Sequence, residues 1–396
     1  MSDLLPRKDA FYLEDGLVYL NGNSLGPMSK ASEAMLNQTI QKDWKQGLVR
    51  SWSAADWISL SDKTGARIAP LIGAGPDTVM VADTVSVNIF KLASAALHLR
   101  KDRSVILTEE GSFPTDGYIL DGLAAQTGTT VRRVKRDNIL SSIDDDTACV
   151  LITHVHYVHG DLFDLDALSR QAHHHGALTI VDLSHTVGAI PVDMTGSGTD
   201  FAVGCGYKYL NGGPGAPGFA FVSDQYKDQL WQPLSGWMGH AAPFAFDEFY
   251  KPADGVQRLK AGTPPIISLA ALYGALEVFD GLSMNDVWAR SRALSQRFQK
   301  GIEDANIEGF DLQSPKDPEI RGSHLSYAHK DGYGMIQAMI DLGVIGDFRA
   351  PHFLRFGFAP LYLDESDIDK AVETLIRVFT TQSYKDPKYL TKKSVT

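Results

Sequence analysis

The chain has 396 residues, 44% of them hydrophobic and 21% charged, with a formal net charge of −11 at pH 7. That length buries a large core and suggests two domains sharing one site. The acidic balance argues against nucleic acid as a partner, since a polyanion repels such a surface. Cys149 and Cys205 lie in apolar runs, so they read as buried reduced thiols rather than as a disulfide framework. The stretch from Met1 to Phe11 carries Asp3, Arg7, Lys8 and Asp9 and no apolar core, and no run approaches the roughly 18 apolar residues of a membrane helix. The expectation is a soluble cytoplasmic protein without a membrane partner.

Strand and helix signals alternate through the middle of the chain. Val105-Ile106-Leu107 reads as a strand, residues 115–126 as a helix and Val131-Arg132-Arg133-Val134 as a second strand. Cys149-Val150-Leu151-Ile152 is a continuous apolar run, the mark of a strand covered on both faces. Residues 164–175 follow as a helix with Gly176 as the residue that ends it. Next come strands ending at Asp182, at Phe201-Ala202-Val203 and at Phe219-Ala220-Phe221-Val222. This β-α-β punctuation predicts an α/β fold, a mainly parallel sheet with helices on both faces. From Gly281 the pattern changes to a long amphipathic helix over 283–306, a turn-rich stretch at 314–318, the strand Leu354-Arg355-Phe356 and helices over 333–342 and 365–380. A smaller α+β domain over 281–382 is expected, after a large domain over 56–280 and an N-terminal segment over 1–55. The lysine-rich stretch 383–396 reads as a disordered tail.

The most informative segment is Cys205-Gly206-Tyr207-Lys208-Tyr209-Leu210-Asn211-Gly212-Gly213-Pro214-Gly215. A lysine follows an apolar strand and precedes a loop whose glycines permit positive φ and close backbone approach. Upstream, Thr179-Ile180-Val181-Asp182-Leu183-Ser184-His185 is a buried strand ending in a carboxylate and an imidazole. Alone, Lys208 also suits a phosphate contact and Asp182 a helix N-cap. Together and in this order they point to pyridoxal phosphate, with the amine as covalent anchor and the carboxylate as partner of the ring nitrogen. No nucleotide-binding glycine loop competes.

Further motifs run almost end to end. They are Tyr19-Leu20-Asn21-Gly22-Asn23-Ser24-Leu25-Gly26, Thr84-Val85-Ser86-Val87-Asn88, Ser112-Phe113-Pro114-Thr115-Asp116, Gly236-Trp237-Met238-Gly239-His240, Ala261-Gly262-Thr263-Pro264-Pro265 and Leu354-Arg355-Phe356-Gly357-Phe358-Ala359-Pro360-Leu361-Tyr362. In their joint order they resemble the kynureninase family, bacterial type, within the fold-type I pyridoxal-phosphate enzymes of the aspartate-aminotransferase superfamily. The resemblance implies a homodimer with shared active sites and hydrolytic cleavage of L-kynurenine to anthranilate and L-alanine, in tryptophan catabolism or NAD biosynthesis. It implies that Lys208 anchors the cofactor and moves protons, that Asp182 pairs with the pyridine nitrogen, and that Tyr207 is the acid. Phe113 would stack on the ring, beside Pro114 and Thr115, with Asp116 and His185 at its edge and Thr153 a further contact. Val85, Ser86, Tyr207, Trp237 and Thr263 would hold the phosphate, with Trp237 and Thr263 coming from the neighbouring subunit. Arg355 would grip the substrate carboxylate, with Ser24 and Asn23 as pocket residues. Thr263, where animal enzymes have asparagine, favours kynurenine over 3-hydroxykynurenine.

One stretch departs from the family: His154-Val155-His156-Tyr157-Val158-His159 replaces the usual asparagine before the tyrosine and the Ser/Thr before the glycine. With His173-His174-His175 these histidines invite a zinc reading, but no carboxylate or cysteine completes a familiar spacing, and no metal is expected. Two other functions compete. A cysteine desulfurase or another fold-type I lyase or aminotransferase is one; a desulfurase needs a mobile exposed thiol, which neither cysteine supplies. A catalytically silent cofactor-binding protein is the other, and it has no chemical need for Lys208, Asp182 and Arg355 together.

Overall fold

The computed structural model of the chain describes residues 4–391. An N-terminal segment carries strand β1 (Val18–Tyr19) and helices α1 (Lys30–Asn37), α2 (Ser51–Ala54) and α3 (Leu60–Ile68). The large unit continues with β2 (Val79–Val81), α4 (Val85–Leu99), β3 (Val105–Glu109), α5 (Pro114–Thr127), β4 (Thr130–Val134) and β5 (Thr147–Thr153). It ends with α6 (Leu165–His174), β6 (Leu178–Asp182), β7 (Phe201–Cys205), β8 (Gly218–Val222) and α7 (Ile266–Ala275). Its strands form a seven-stranded sheet in the order β2-β8-β7-β6-β5-β3-β4.

Strands β4, β3, β5, β6 and β7 run parallel, while β8 is antiparallel to both β7 and β2. The physical reason is the connection. Parallel neighbours need a crossover, normally a helix, and the glycine-rich lysine loop between β7 and β8 contains none. Every residue of β5 is buried. Val150 and Ile152 join one core with Leu107 and Val181, while Cys149 and Leu151 join another with Ile106 and Ile180. Helix α4 covers the second face through Ile89 and Leu92; α6 and α7 cover the first through Leu168, Leu269 and Leu272.

The remainder comprises α8 (Met284–Ala305), β9 (Asp311–Leu312), β10 (His324–Ala328), α9 (Gly332–Asp341), β11 (Val344–Ile345), β12 (Asp347–Arg349), β13 (Phe353–Gly357) and α10 (Glu365–Thr380). An antiparallel sheet in the order β12-β13-β10-β9 packs against α8 and α9, with α10 laid on those two helices. Its core is aromatic: Phe298 of α8 lies 4.9 Å from Phe356, and Phe310 stacks on Tyr327 at 4.5 Å. Ser283 caps α8, and Asp364 opens α10 with a reciprocal capping box. Strand β1 pairs in parallel with β11, tying the N-terminal segment to this unit.

The tail expectation needs correcting. Residues 383–391 form two 3-10 turns against α9, held by Lys388 and Tyr389 on Asp341. A hydrophobic contact from Tyr384, which is buried, gives the segment its anchor. Residues 392–396 lie outside the described part. No single helix among the described residues is long and apolar enough to cross a membrane.

Candidate active site

Four adjacent parallel strands finish at one edge of the large sheet, and their last residues are Glu109, Thr153, Asp182 and Cys205. The carboxyl edge is where an α/β sheet leaves its ligand crevice. A cavity of about 730 Å³ opens there, and Thr153, Asp182, His185, Tyr207 and Lys208 all line it. Its mouth is the start of α4, where Val85 and Ser86 line the wall behind Thr84. Thr84 is the cap of that helix, its hydroxyl accepting from Val87 N–H. Ser86 and Thr115 hydroxyls lie 3.0 Å apart across the cavity. A helix N-terminus with two hydroxyls is a ready site for a phosphate.

Lys208 Nζ donates to His185 Nε2 at 3.0 Å. Burial, followed by the Lys208 charge, holds the His185 imidazole well below its usual range, so it is neutral and accepts through Nε2. Its Nδ1 is then a buried N–H without a partner. Lys208 Nζ also lies 5.9 Å from the Phe113 ring centroid, and Phe113 meets Tyr157 edge-on at 5.4 Å. Asp182 Oδ1 accepts from Ser184 N–H at 2.7 Å. Burial pushes the Asp182 carboxyl up, opposed by Ser184 and by the Lys208 charge. Asp116 is pushed further up, by burial and then by the Asp182 charge, and its Oδ1 has no partner. Burial thus disfavours the charged form of both carboxyls, more strongly at Asp116, while the Lys208 charge favours it at each.

These features fit pyridoxal phosphate. A buried carboxylate with one backbone hydrogen bond matches a ring-nitrogen cation, the unpartnered Asp116 Oδ1 and His185 Nδ1 match polar ring substituents, and the helix N-terminus matches the phosphate. The loop is shaped for close approach: Gly213 and Gly215 take φ of +83° and +75°. Gly26 N–H bonds Tyr207 C=O at 2.8 Å, and a Cβ on Gly26 would lie 2.3 Å from Lys208 O and 2.7 Å from Asn211 Cα. Backbone atoms cannot yield cheaply, so Gly26→Ala should displace the lysine loop. The expected loss is about 1–3 kcal/mol of stability, as for overpacking, with weaker cofactor binding; thermal melts and a cofactor titration check it.

Eleven of the expected residues line the cavity, Asp116 and Thr263 included. Five expected residues stand outside. Pro114 is the first residue of α5. Trp237 sits on a 3-10 turn and is 39% exposed. Asn23 is fully buried against Gly357, with both amide atoms unpartnered. Ser24 donates to Asp347, and Arg355 clasps Asp347 through Nε at 2.8 Å and Nη2 at 2.5 Å. Sequence reasoning did not assign Tyr157, Asp83 or Thr84 to the site, although all three line the cavity. It also missed Glu109, which accepts Thr153 N–H and Oγ1–H at 2.9 and 2.6 Å while Arg136 donates to its other oxygen at 2.5 Å. The signal for Thr84 was a threonine just ahead of an apolar helix; nothing local marks Glu109.

The histidine run makes local hydrogen bonds. His154 Nδ1 meets Thr186 Oγ1 at 3.1 Å, and His156 Nε2 meets Gly111 C=O at 3.1 Å. Among the described residues no three His, Cys, Asp or Glu side chains are grouped to hold a metal. Both cysteines are buried, and burial pushes Cys149 up to about 12, the opposite of an activated thiol.

Over residues 287–375 the chain matches the kynureninase C-terminal domain. It is 44% identical to the kynureninase of Pseudomonas fluorescens across 99% of this chain and 96% of that one. The chain belongs to the kynureninase family. The kynureninase of Burkholderia mallei is 42% identical over the same shares. In fold the chain is similar to the apo cysteine desulfurase of Thermococcus onnurineus, with a TM-score of 0.80 at 15% identity over 95% of this chain and 98% of that one. That likeness is one of fold: an α/β large unit with a C-terminal domain.

Proposed function

We propose that this chain is a pyridoxal 5′-phosphate-dependent hydrolase that cleaves the Cβ–Cγ bond of L-kynurenine with water, releasing anthranilate and L-alanine. The observation that carries the reading is Lys208 and Asp182 facing one cavity in a chain 44% identical to a kynureninase across 99% of its length. When bound, the cofactor supplies an electron sink beside the substrate Cα. Lys208 is its covalent anchor and moves the proton at Cα. His185 steers Nζ through its 3.0 Å hydrogen bond. Asp182 sets a negative charge against the ring nitrogen, and Phe113 covers the ring face. Val85, Ser86 and Thr115 hold the phosphate with the first turn of α4. Tyr207, whose hydroxyl burial pushes up and so keeps protonated, donates to the ketone oxygen as water adds to the carbonyl carbon.

Thr263 on the cavity wall favours unsubstituted kynurenine over 3-hydroxykynurenine. Two copies form the working unit. Trp237 packs edge-on against Phe244 at 5.5 Å, and Phe244 and Phe246 are exposed; a second copy would cover this aromatic flap and receive Trp237 at its own cavity. Residues 56–280 act as the cofactor domain and 281–382 as the small domain, and the enzyme works in the cytoplasm. Incubating the protein with L-kynurenine tests the reaction: anthranilate fluorescence is expected, and its absence from protein carrying bound cofactor would sink the reading.

Arg355, clasped on Asp347 beside the cavity, is the residue for the substrate carboxylate. Arg355→Lys keeps the charge but loses the planar fork that holds Asp347. A rise in KM is expected, with kcat/KM lower by about 1.5–3 kcal/mol, the range for hydrogen bonds to charged groups, and an unchanged cofactor spectrum. Steady-state kinetics beside a thermal melt separate this from general destabilisation.

A further inference from the structure

An acidic residue stands where an anion is to bind. Asp83 comes just before Thr84, the cap of α4, and lines the cavity beside Val85 and Ser86. A helix N-terminus favours negative charge, so a free carboxylate there and the cofactor's phosphate would compete and repel. The fold fixes Asp83 in place. Its φ is +57°, a left-handed conformation that aspartate and asparagine tolerate better than other residues with a side chain. Its C=O accepts from Gly218 N–H at 2.8 Å. Gly218 lies so close to the start of α4 that a Cβ on it would be 3.0 Å from Val85 N.

Lys91 answers the charge. It lies on α4, its side chain is 1% exposed, and Nζ donates to Asp83 Oδ2 at 2.6 Å. The same Nζ donates to Leu259 C=O at 2.5 Å. Leu259 ends a 3-10 turn (Gly255–Leu259). The chain then runs to Ala261, whose C=O accepts from Met238 N–H at 3.2 Å, and to Thr263 on the cavity wall. One buried ammonium therefore joins the turn ahead of α4 to the segment that carries Thr263 and supports the Trp237 turn. A cation with so little exposure needs a paired charge, and the Asp83 carboxylate is that partner.

We infer that Lys91 is a positioning residue for the cofactor's phosphate. It acts through Asp83, cancelling that carboxylate's charge and holding its turn, so that the N-terminus of α4 is open to an anion. Lys91 itself stands behind the cavity wall rather than on it. The inference rests on the phosphate placement proposed above and names the ion pair that lets a dianion sit beside an aspartate.

The test titrates the full chain, freed of cofactor, with pyridoxal 5′-phosphate and with pyridoxal, which differ in the phosphate alone. Kd is read from the visible absorbance of the covalently held ring. In Lys91→Met the Kd for pyridoxal 5′-phosphate should rise by on the order of tenfold, the scale of one unpaired charge near a protein surface. The Kd for pyridoxal should stay within about twofold. Combining Lys91→Met with Asp83→Asn removes the carboxylate, and asparagine keeps the left-handed turn. Affinity for pyridoxal 5′-phosphate should then return to within about threefold of wild type, a coupling that a purely structural lysine would not show. An unchanged Kd for pyridoxal 5′-phosphate in Lys91→Met overturns the inference. Equal weakening of both ligands does so too, as does a second substitution that restores nothing. If Lys91→Met does not fold, Asp83→Asn decides alone. It leaves the cation uncompensated near the phosphate and should tighten pyridoxal 5′-phosphate by about threefold; an unchanged or weaker Kd overturns the inference. A wild type that takes up neither ligand would sink the cofactor reading instead.

Discussion

Lys208→Ala is expected to abolish the visible absorbance of covalently held cofactor and to lower anthranilate formation by at least about a thousandfold, within the range that a positioned proton-transfer group contributes. The fold should survive. Lys208 lines the cavity, and among the described residues its one side-chain hydrogen bond is to His185, so its removal leaves the cores on both faces of the sheet intact. Its covalent role and its proton transfers are lost together, which is why the effect exceeds that of any contact residue. A thermal melt near wild type beside lost turnover is the expected pair of results. Near-normal anthranilate release from Lys208→Ala with bound cofactor would remove the lysine from the chemistry.

Asp182→Ala should weaken cofactor binding and turnover by about 3–5 kcal/mol, the loss expected when a buried charge is stripped of its partner. The carboxylate also accepts from Ser184 N–H at 2.7 Å, and that turn is the competing explanation for an aspartate here. Asp182→Asn separates the two roles. Its amide oxygen keeps the turn, but its charge is gone. If the charge matters, Asp182→Asn behaves like Asp182→Ala in a cofactor titration. If Asp182→Asn binds and turns over like wild type, the carboxylate only shapes the turn.

Local signals were enough for much of this. The apolar run at Cys149–Ile152 announced a strand buried on both faces, and β5 is one. Ser283, Asp164 and Gly176 marked helix ends, and the structure uses each as the cap or the terminating glycine. Such features are legible because they depend on a few neighbouring residues: periodicity, a side-chain acceptor, a positive φ. Strand β8 was legible as a strand, but its direction was not, since direction depends on whether the connection from β7 contains a crossover helix. Residues 383–391 read as a polar tail because their anchoring partners, α9 and Asp341, lie far away in sequence.

The sequence by itself determined the features on which the functional reading rests: a lysine in a glycine-rich loop, an aspartate closing a buried strand, and an order of motifs shared with the kynureninase family. Those follow from residue type and order, which the chain displays directly. Only the tertiary structure decided which of them share a cavity. It brought Asp182 and Lys208 together by making β6 and β7 neighbours, and it set Asp347 opposite Arg355 across two strands. Burial did the rest, pushing both the Asp182 and the Asp116 carboxyls up, Asp116 further. Strand register and desolvation are properties of the packed molecule, because each depends on residues far apart in the chain meeting in a medium from which water is excluded.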